Sequence, residues 1–235
     1  MMVESARAPE DTREQSESPA KIEPRWPVAL AILSFIGLTI AVRVAEPHRE
    51  TLGPPWLVPG IEVAMLLALL AADPAHAVRR RRWLRPIAIA LVVALVVVAL
   101  ISTAVLITEL IRGGKVTESA DSLLASGALI WFGNVLTFSL LYWLLDGGGP
   151  LARHQREREY PDFAFTQQMS PELAPPGWLP YYVDYLILGL TTSTAFSPTD
   201  ILPVSRWAKL LMALQSIVPL VVVGLVIARA VNVFS

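Results

Sequence analysis

The chain has 235 residues, 54% of them hydrophobic, and a mean hydropathy of +0.54, which excludes an ordinary soluble domain. The net charge of −1 carries little information, because the charges cluster between apolar runs. There is no cysteine, so disulfides and thiolate metal sites are excluded.

Residues 1–24 are polar, acidic and rich in Ser, Glu and Pro, which predicts a disordered cytoplasmic tail without chemistry. They do not read as a secretory signal. The apolar core starts too late, and Arg43 stands where cleavage after Ala45 needs a small residue. Residues 25–145 read as a four-span transmembrane bundle. Trp26 to Ala45 is the first span, long enough at about 1.5 Å per residue to cover the hydrocarbon core. Trp26 suits a membrane interface. Glu46 to Pro55 is a short loop with turn chemistry in Gly53-Pro54-Pro55. Leu57 to Ala72 is the weakest span, with Pro59, Gly60 and Glu62 near its start.

Residues 73–85 are expected to form a loop carrying Arg79, Arg80, Arg81, Arg82 and Arg85. It is a topology signal, or alternatively a surface for anionic lipid or a regulator. Pro86 to Ile111 is the third span, with Pro at its start and Gly113-Gly114 after it. Leu123 to Leu145 is the fourth. Its Gly127 and Gly133 permit close helix approach, and its Asn134 and Thr137 can hydrogen-bond between helices. Tyr142 and Trp143 mark its far interface. Residues 146–180 read as a Pro- and Gly-rich loop on the membrane surface, and residues 181–235 as a short helix, a polar turn and a long helix. The predicted fold class is all-α: a polytopic transmembrane helix bundle with a C-terminal pore-loop-like helix–turn–helix unit.

Lys and Arg divide twelve against four by side, which puts the N-terminus and residues 73–85 and 146–180 in the cytoplasm. Four spans then return the chain to the cytoplasm before Tyr181. Three arrangements follow for the last quarter. Leu57–Ala72 does not span, or the short helix enters and leaves from the cytoplasmic side, or Tyr181–Ser197 itself crosses. The third is favoured, giving six crossings, both termini inside and Pro198–Ser205 as an outer turn.

From Asp200 onward the chain resembles the pore domain of tetrameric potassium channels. In that family an Asp closes the filter, a Pro follows three positions later, and a Trp-Gly-Arg stretch opens the inner helix. Here the register reads Asp200, Pro203 and Trp207-Ala208-Lys209. Asp184-Tyr185-Leu186 through Thr191-Thr192 resembles the pore helix with its threonine pair. Thr194 to Asp200 also resembles a run in a group of bacterial membrane proteins that brings no established function. The channel resemblance implies a homo-oligomer, a tetramer by analogy, and monovalent cations as partners beside the lipid bilayer. The filter departs from the family. Both glycines are replaced in Thr194-Ala195-Phe196-Ser197-Pro198-Thr199-Asp200, and a carbonyl ladder needs positive φ at alternate residues. A filter of side-chain hydroxyls from Thr191, Thr192, Ser193, Thr194 and Ser197 is the remaining option. Otherwise these hydroxyls bond back to helix carbonyls and form a capped turn. Pro219 stands at the inner-helix hinge position and predicts a bend, as a gate or a packing kink. Gly224 adds a close-packing point.

Arg43, Glu62 and Glu109 lie in the outer third of the bilayer by this topology. An Arg43–Glu62 pair is expected, with a proton or cation relay through Glu62 as the functional alternative. Asp184 lies one turn into the short helix, within reach of Tyr182, Arg206 or water. No nucleophile constellation, cofactor cradle or nucleic-acid patch is apparent. His48, His76 and His154 sit apart, so neither an enzyme nor a metal site is expected. Three functional readings stand: a weakly selective cation channel, a non-conducting scaffold or partner protein, and a small-solute or proton transporter using Glu62.

Overall fold

The computed structural model describes residues 23–45, 60, 63–64, 77–112, 120–194 and 200–234. Four long helices dominate: α1 (Trp26–Ala45), α2 (Ala77–Arg112), α3 (Ala120–Leu145) and, last in the chain, α7 (Arg206–Phe234). Between α3 and α7 lie α4 (Pro150–His154), β1 (Phe163–Phe165), α5 (Thr166–Met169), α6 (Tyr182–Thr194) and β2 (Ile201–Pro203). Among the described residues, three segments are long and apolar enough to cross a membrane: Arg85–Thr108, Leu123–Gly148 and Arg206–Ala228, with Trp26–Ala41 a shorter apolar helix. The chain is mostly helical and carries the candidate spans of a multi-pass membrane protein. The span expected at Leu57–Ala72 lies outside the described residues, except for Gly60, Val63 and Ala64.

The arginine-rich stretch corrects the expected boundary of the third span. Ala77 to Arg85 is not loop but the start of α2, and Pro86 lies inside that helix rather than at its beginning. Arginine is a good helix former, so hydropathy marks where lipid begins and not where the helix begins.

α3 is the central helix. Its apolar window is 67% buried, against 28% for each of the other two candidate spans. Every long helix runs antiparallel to it. Gly133 faces the Phe35 ring of α1, and Trp143 reaches Glu23 just before α1. Arg85 of α2 lies beside Gly149 just past α3, and α7 meets α3 first at Gln215 and then at Val222 and Val226 beside Gly127. Apolar side chains such as Leu30, Val97, Leu210 and Leu220 face outward, as lipid contact requires.

Residues 146–180 are irregular and partly exposed, as a loop is, but carry short elements of their own. With Glu23, the start of α6 and the start of α7 they form a folded cap over one end of the bundle. β1 and β2 pair antiparallel in the register Phe163↔Pro203, Ala164↔Leu202 and Phe165↔Ile201. The all-α expectation therefore needs this small sheet added. Phe163, Phe165, Tyr182 and Tyr185 are buried: the first three pack edge-on or tilted against Tyr142, Trp143, Trp178 and Trp207, and Tyr185 packs edge-on against Phe165. Tyr142 and Trp143 are likewise buried in protein, not set at a lipid interface.

The sheet also corrects the favoured six-crossing topology. α6 starts in the cap, where Tyr182 packs on Trp143, and descends along α3 until Ser193 meets Asn134 in the middle of that helix. The chain is back in the cap at Ile201. At 13 residues α6 reaches about 20 Å, short of the hydrocarbon thickness of about 30 Å. Ile201–Pro203 thus belongs to the same end as residues 146–180, not to an opposite turn. α7 then leaves the cap and reaches the far end, so Glu23 and α7's last turns lie at opposite ends.

Candidate functional site

The tip of α6 sits against a buried polar network at mid-bundle depth. Gly189 allows this, because a Cβ there would meet Ser139 Oγ and would lie 3.0 Å from the Val135 carbonyl. Gln215 of α7 is the junction. Its Nε2 donates to the Gly189 carbonyl at 2.8 Å and to Ser193 Oγ at 2.9 Å, and its Oε1 accepts from the Tyr142 hydroxyl at 2.6 Å. Asn134 Nδ2 donates to Ser193 Oγ and to the Gln215 backbone carbonyl, both at 3.2 Å. That carbonyl is available because Pro219 has no N–H to return to the residue four places before it. A proline within a membrane helix is tolerated when a neighbouring helix satisfies the freed carbonyl, and Asn134 does so here.

The hydroxyls singled out in the sequence fall into two groups. Thr191 Oγ1 donates to the Ile187 carbonyl at 2.9 Å, and Thr194 Oγ1 to the Leu190 carbonyl at 2.9 Å, so both bond back into their own helix. Thr192 is buried instead, and its Oγ1, like Asn134 Oδ1, has no partner among the described residues. Ser197 lies outside the described residues. Asp200 is exposed, and its carbonyl accepts from Thr166 Oγ1 at 2.7 Å. Pro203 pairs with Phe163 in the sheet, and Trp207 Nε1 donates to Asp162 Oδ1 at 2.8 Å. The Asp200, Pro203 and Trp207 register is thus built into the cap.

α7 continues through Pro219 as one helix. Gly224 is not a packing point among the described residues, since an added Cβ would meet nothing within 4 Å. The Arg43 and Glu109 side chains and all of Glu62 lie outside the described residues, and with them the Arg43–Glu62 pair and the Glu62 relay. Asp184 is not an isolated intramembrane charge. It stands in the first turn of α6 and accepts the Tyr181 N–H at 2.7 Å, as the reach-back half of a capping box does. Burial raises its carboxyl above the usual range, and the backbone N–H partners partly offset this.

The base of α6 is held by acids that the sequence did not reveal. Glu23 lies within residues 1–24, where the sequence predicts a tail without chemistry. Its carboxylate accepts the Trp143 indole N–H at 3.0 Å and the Tyr182 N–H, one of the unpaired donors at the helix start. Burial pushes the Glu23 carboxyl up, against the lowering effect of these bonds. Asp146 accepts the Tyr185 hydroxyl, and also the N–H groups of Asp162 at 2.9 Å and Phe163 at 3.2 Å. Arg153 lies over the Tyr185 ring at 4.9 Å and donates to the carbonyls of Trp143 at 2.7 Å and Asp146 at 2.8 Å. Only the acidic and aromatic residue types of Asp184-Tyr185 and Asp162-Phe163 hinted at this. Comparison with protein-family models, curated proteins and solved structures finds no match for this chain.

Proposed function

We propose that this chain is a channel-like membrane protein that passes monovalent cations with weak selectivity, as an oligomer of about four copies by analogy with channels. By the Lys and Arg bias its cap faces the cytoplasm. The observation that carries the reading is α6, a half-length helix that enters from the cap, stops at mid-depth and sends the chain back to the same end. A helix ends in unpaired carbonyls and a partial negative charge, and half-helix ends of this kind face cations within membranes. Two buried oxygens without partners among the described residues, Asn134 Oδ1 and Thr192 Oγ1, lie in the same region. The Asp200, Pro203 and Trp207 register supports the same class. The absence of glycine from Thr194 to Asp200 argues for side-chain oxygens rather than a carbonyl ladder.

The test is sodium and potassium flux through purified protein in liposomes, beside Thr192→Val. Comparable fluxes of the two ions are expected, reduced in the variant without loss of folding. Strong potassium selectivity would overturn the hydroxyl-lined path. The non-conducting reading has its own observation, the Thr191 and Thr194 hydroxyls turned back into α6. No flux from folded protein at any voltage or pH, or a strict monomer in mild detergent, would favour it.

A further inference from the structure

A cavity of about 340 Å³ opens in the cap, away from the tip of α6, with Arg153, Arg156, Arg158, Tyr160, Gln168 and Trp178 among its walls. That volume suits a small organic ligand. We propose that this cavity binds a phosphate-bearing anion through Arg153 and Arg156.

Arg153 supplies the first argument. It is only 9% exposed, and its Nη1 is committed to the Trp143 and Asp146 carbonyls. Its Nη2 is buried and has no hydrogen-bond partner among the described residues. A guanidinium nitrogen in that state is costly unless an acceptor is brought to it.

Arg156 supplies the second. α4 ends with the Arg156 N–H on the Arg153 carbonyl at 3.1 Å and the Glu157 N–H on the Ala152 carbonyl at 3.0 Å. This is a Schellman end, whose left-handed residue is usually glycine. Here it is Arg156, at φ 50, the one non-glycine residue with positive φ among the described residues. Glycine would adopt that backbone at lower cost, so what the position gains from arginine is a guanidinium on the cavity wall.

Glu23 and Asp146 lie close enough to feel the Arg153 charge and Glu159 shares the cavity wall, but no hydrogen bond from these carboxylates reaches Arg153 Nη2. Asp146 is taken by the Tyr185 hydroxyl and two backbone N–H groups. Asp162 is taken by the Gly147 N–H at 3.1 Å, the Trp207 indole and Arg158, the last at 3.4 Å. Paired guanidinium forks match the tetrahedral oxygens of phosphate. The cap lies at the end of membrane-crossing helices, so the phosphate can come from a lipid headgroup or from a soluble ester.

The test uses the full chain in nanodiscs. One arm titrates inorganic phosphate into phosphatidylcholine discs, with chloride at matched ionic strength as control. The other compares these discs with equimolar phosphatidylcholine–phosphatidylglycerol discs. Both read the melting temperature, and the first also reads heat of binding. The variant is Arg156→Gly, which keeps the left-handed turn and should melt no lower than wild type without anion. A rise with phosphate that weakens about tenfold or more in the variant supports a soluble phosphate ligand. A rise only in the phosphatidylglycerol discs, lost in the variant, supports a headgroup. No response in either arm, the same response to chloride, or an unchanged response in Arg156→Gly would overturn the site.

Discussion

At the cap end, α3 runs out through Tyr142, Trp143 and Asp146, all buried and tied by directed hydrogen bonds, although the Arg153 Nη2 and the Tyr182 hydroxyl there have no partner among the described residues. At the far end, the same helix meets α7 through Gly127 against Val222 and Val226. Leu106, Leu123, Ile130 and Val218 pack around that contact, and the buried Ser126 hydroxyl has no partner among the described residues. In lipid no hydrophobic force drives apolar helices together, so contact at the far end rests on close packing alone. The position of α6 is therefore set from the cap and from the Gln215 network, while the far end of α7 is free to adjust.

The largest expected effect comes from Asp146→Ala. It leaves the Tyr185 hydroxyl and two N–H groups unpaired beside the Arg153 charge, and should cost about 3–5 kcal/mol in a detergent unfolding assay. Val222→Ala at the far end should cost about 1 kcal/mol. Equal losses would break the contrast between the two ends.

A second pair of substitutions sharpens it. Gly189→Ala drives a methyl group into Ser139 and the Val135 backbone, so α6 must shift, at about 1–3 kcal/mol. Gly127→Ala meets only side-chain ends, Val226 at 3.3 Å and Val222 at 3.8 Å, and should be close to neutral in the same assay. A Gly127 variant as damaging as the Gly189 variant would mean that the far end is as tightly fitted as the tip of α6.

The smallest effect is a pH dependence. Burial raises the folded-state pKa of Glu23 above its ordinary value of 4.5, so the folded chain holds this proton more tightly than the unfolded chain does. The resulting stabilisation is complete below that ordinary value and is lost as pH rises through the raised one. Melting temperature should therefore fall across that window in wild type. Glu23→Gln should fall less steeply, because Gln keeps an acceptor oxygen but does not titrate. Parallel curves would show that Glu23 is not buried at the start of α6.

The long apolar helices were legible in the sequence and the cap was not. Apolar runs placed α1, α3 and α7 to within a few residues, since a membrane span must be long and continuous. The short helix before the polar turn was legible from Tyr181-Tyr182 and the apolar stretch after them. So was the reach of Asn134 between helices, and so was the back-bonding of Thr191 and Thr194, the alternative to a hydroxyl filter. The cap is built from pairs distant in sequence, such as Glu23 with Tyr182, Asp146 with Tyr185 and Asp162 with Trp207. Local periodicity carries no record of such pairs. Strands of three residues leave no alternation to detect, and a Pro-rich composition concealed a segment whose prolines serve turns. The six-crossing topology failed for the same reason, because the β1–β2 pairing that returns the chain to the cap is invisible along the chain.

That pairing has a consequence for how the protein is made. Synthesis runs from the amino end, so α6 leaves the ribosome before Ile201–Pro203 exists to join Phe163–Phe165. Alone, α6 is 13 residues with an acid in its first turn, too short and too polar to be retained as a span. Its depth is decided only when the strand that follows it docks and α7 brings Gln215 alongside. The threading of α6 is thus a late, post-insertion event, and the small sheet acts as the knot tied once the thread is through.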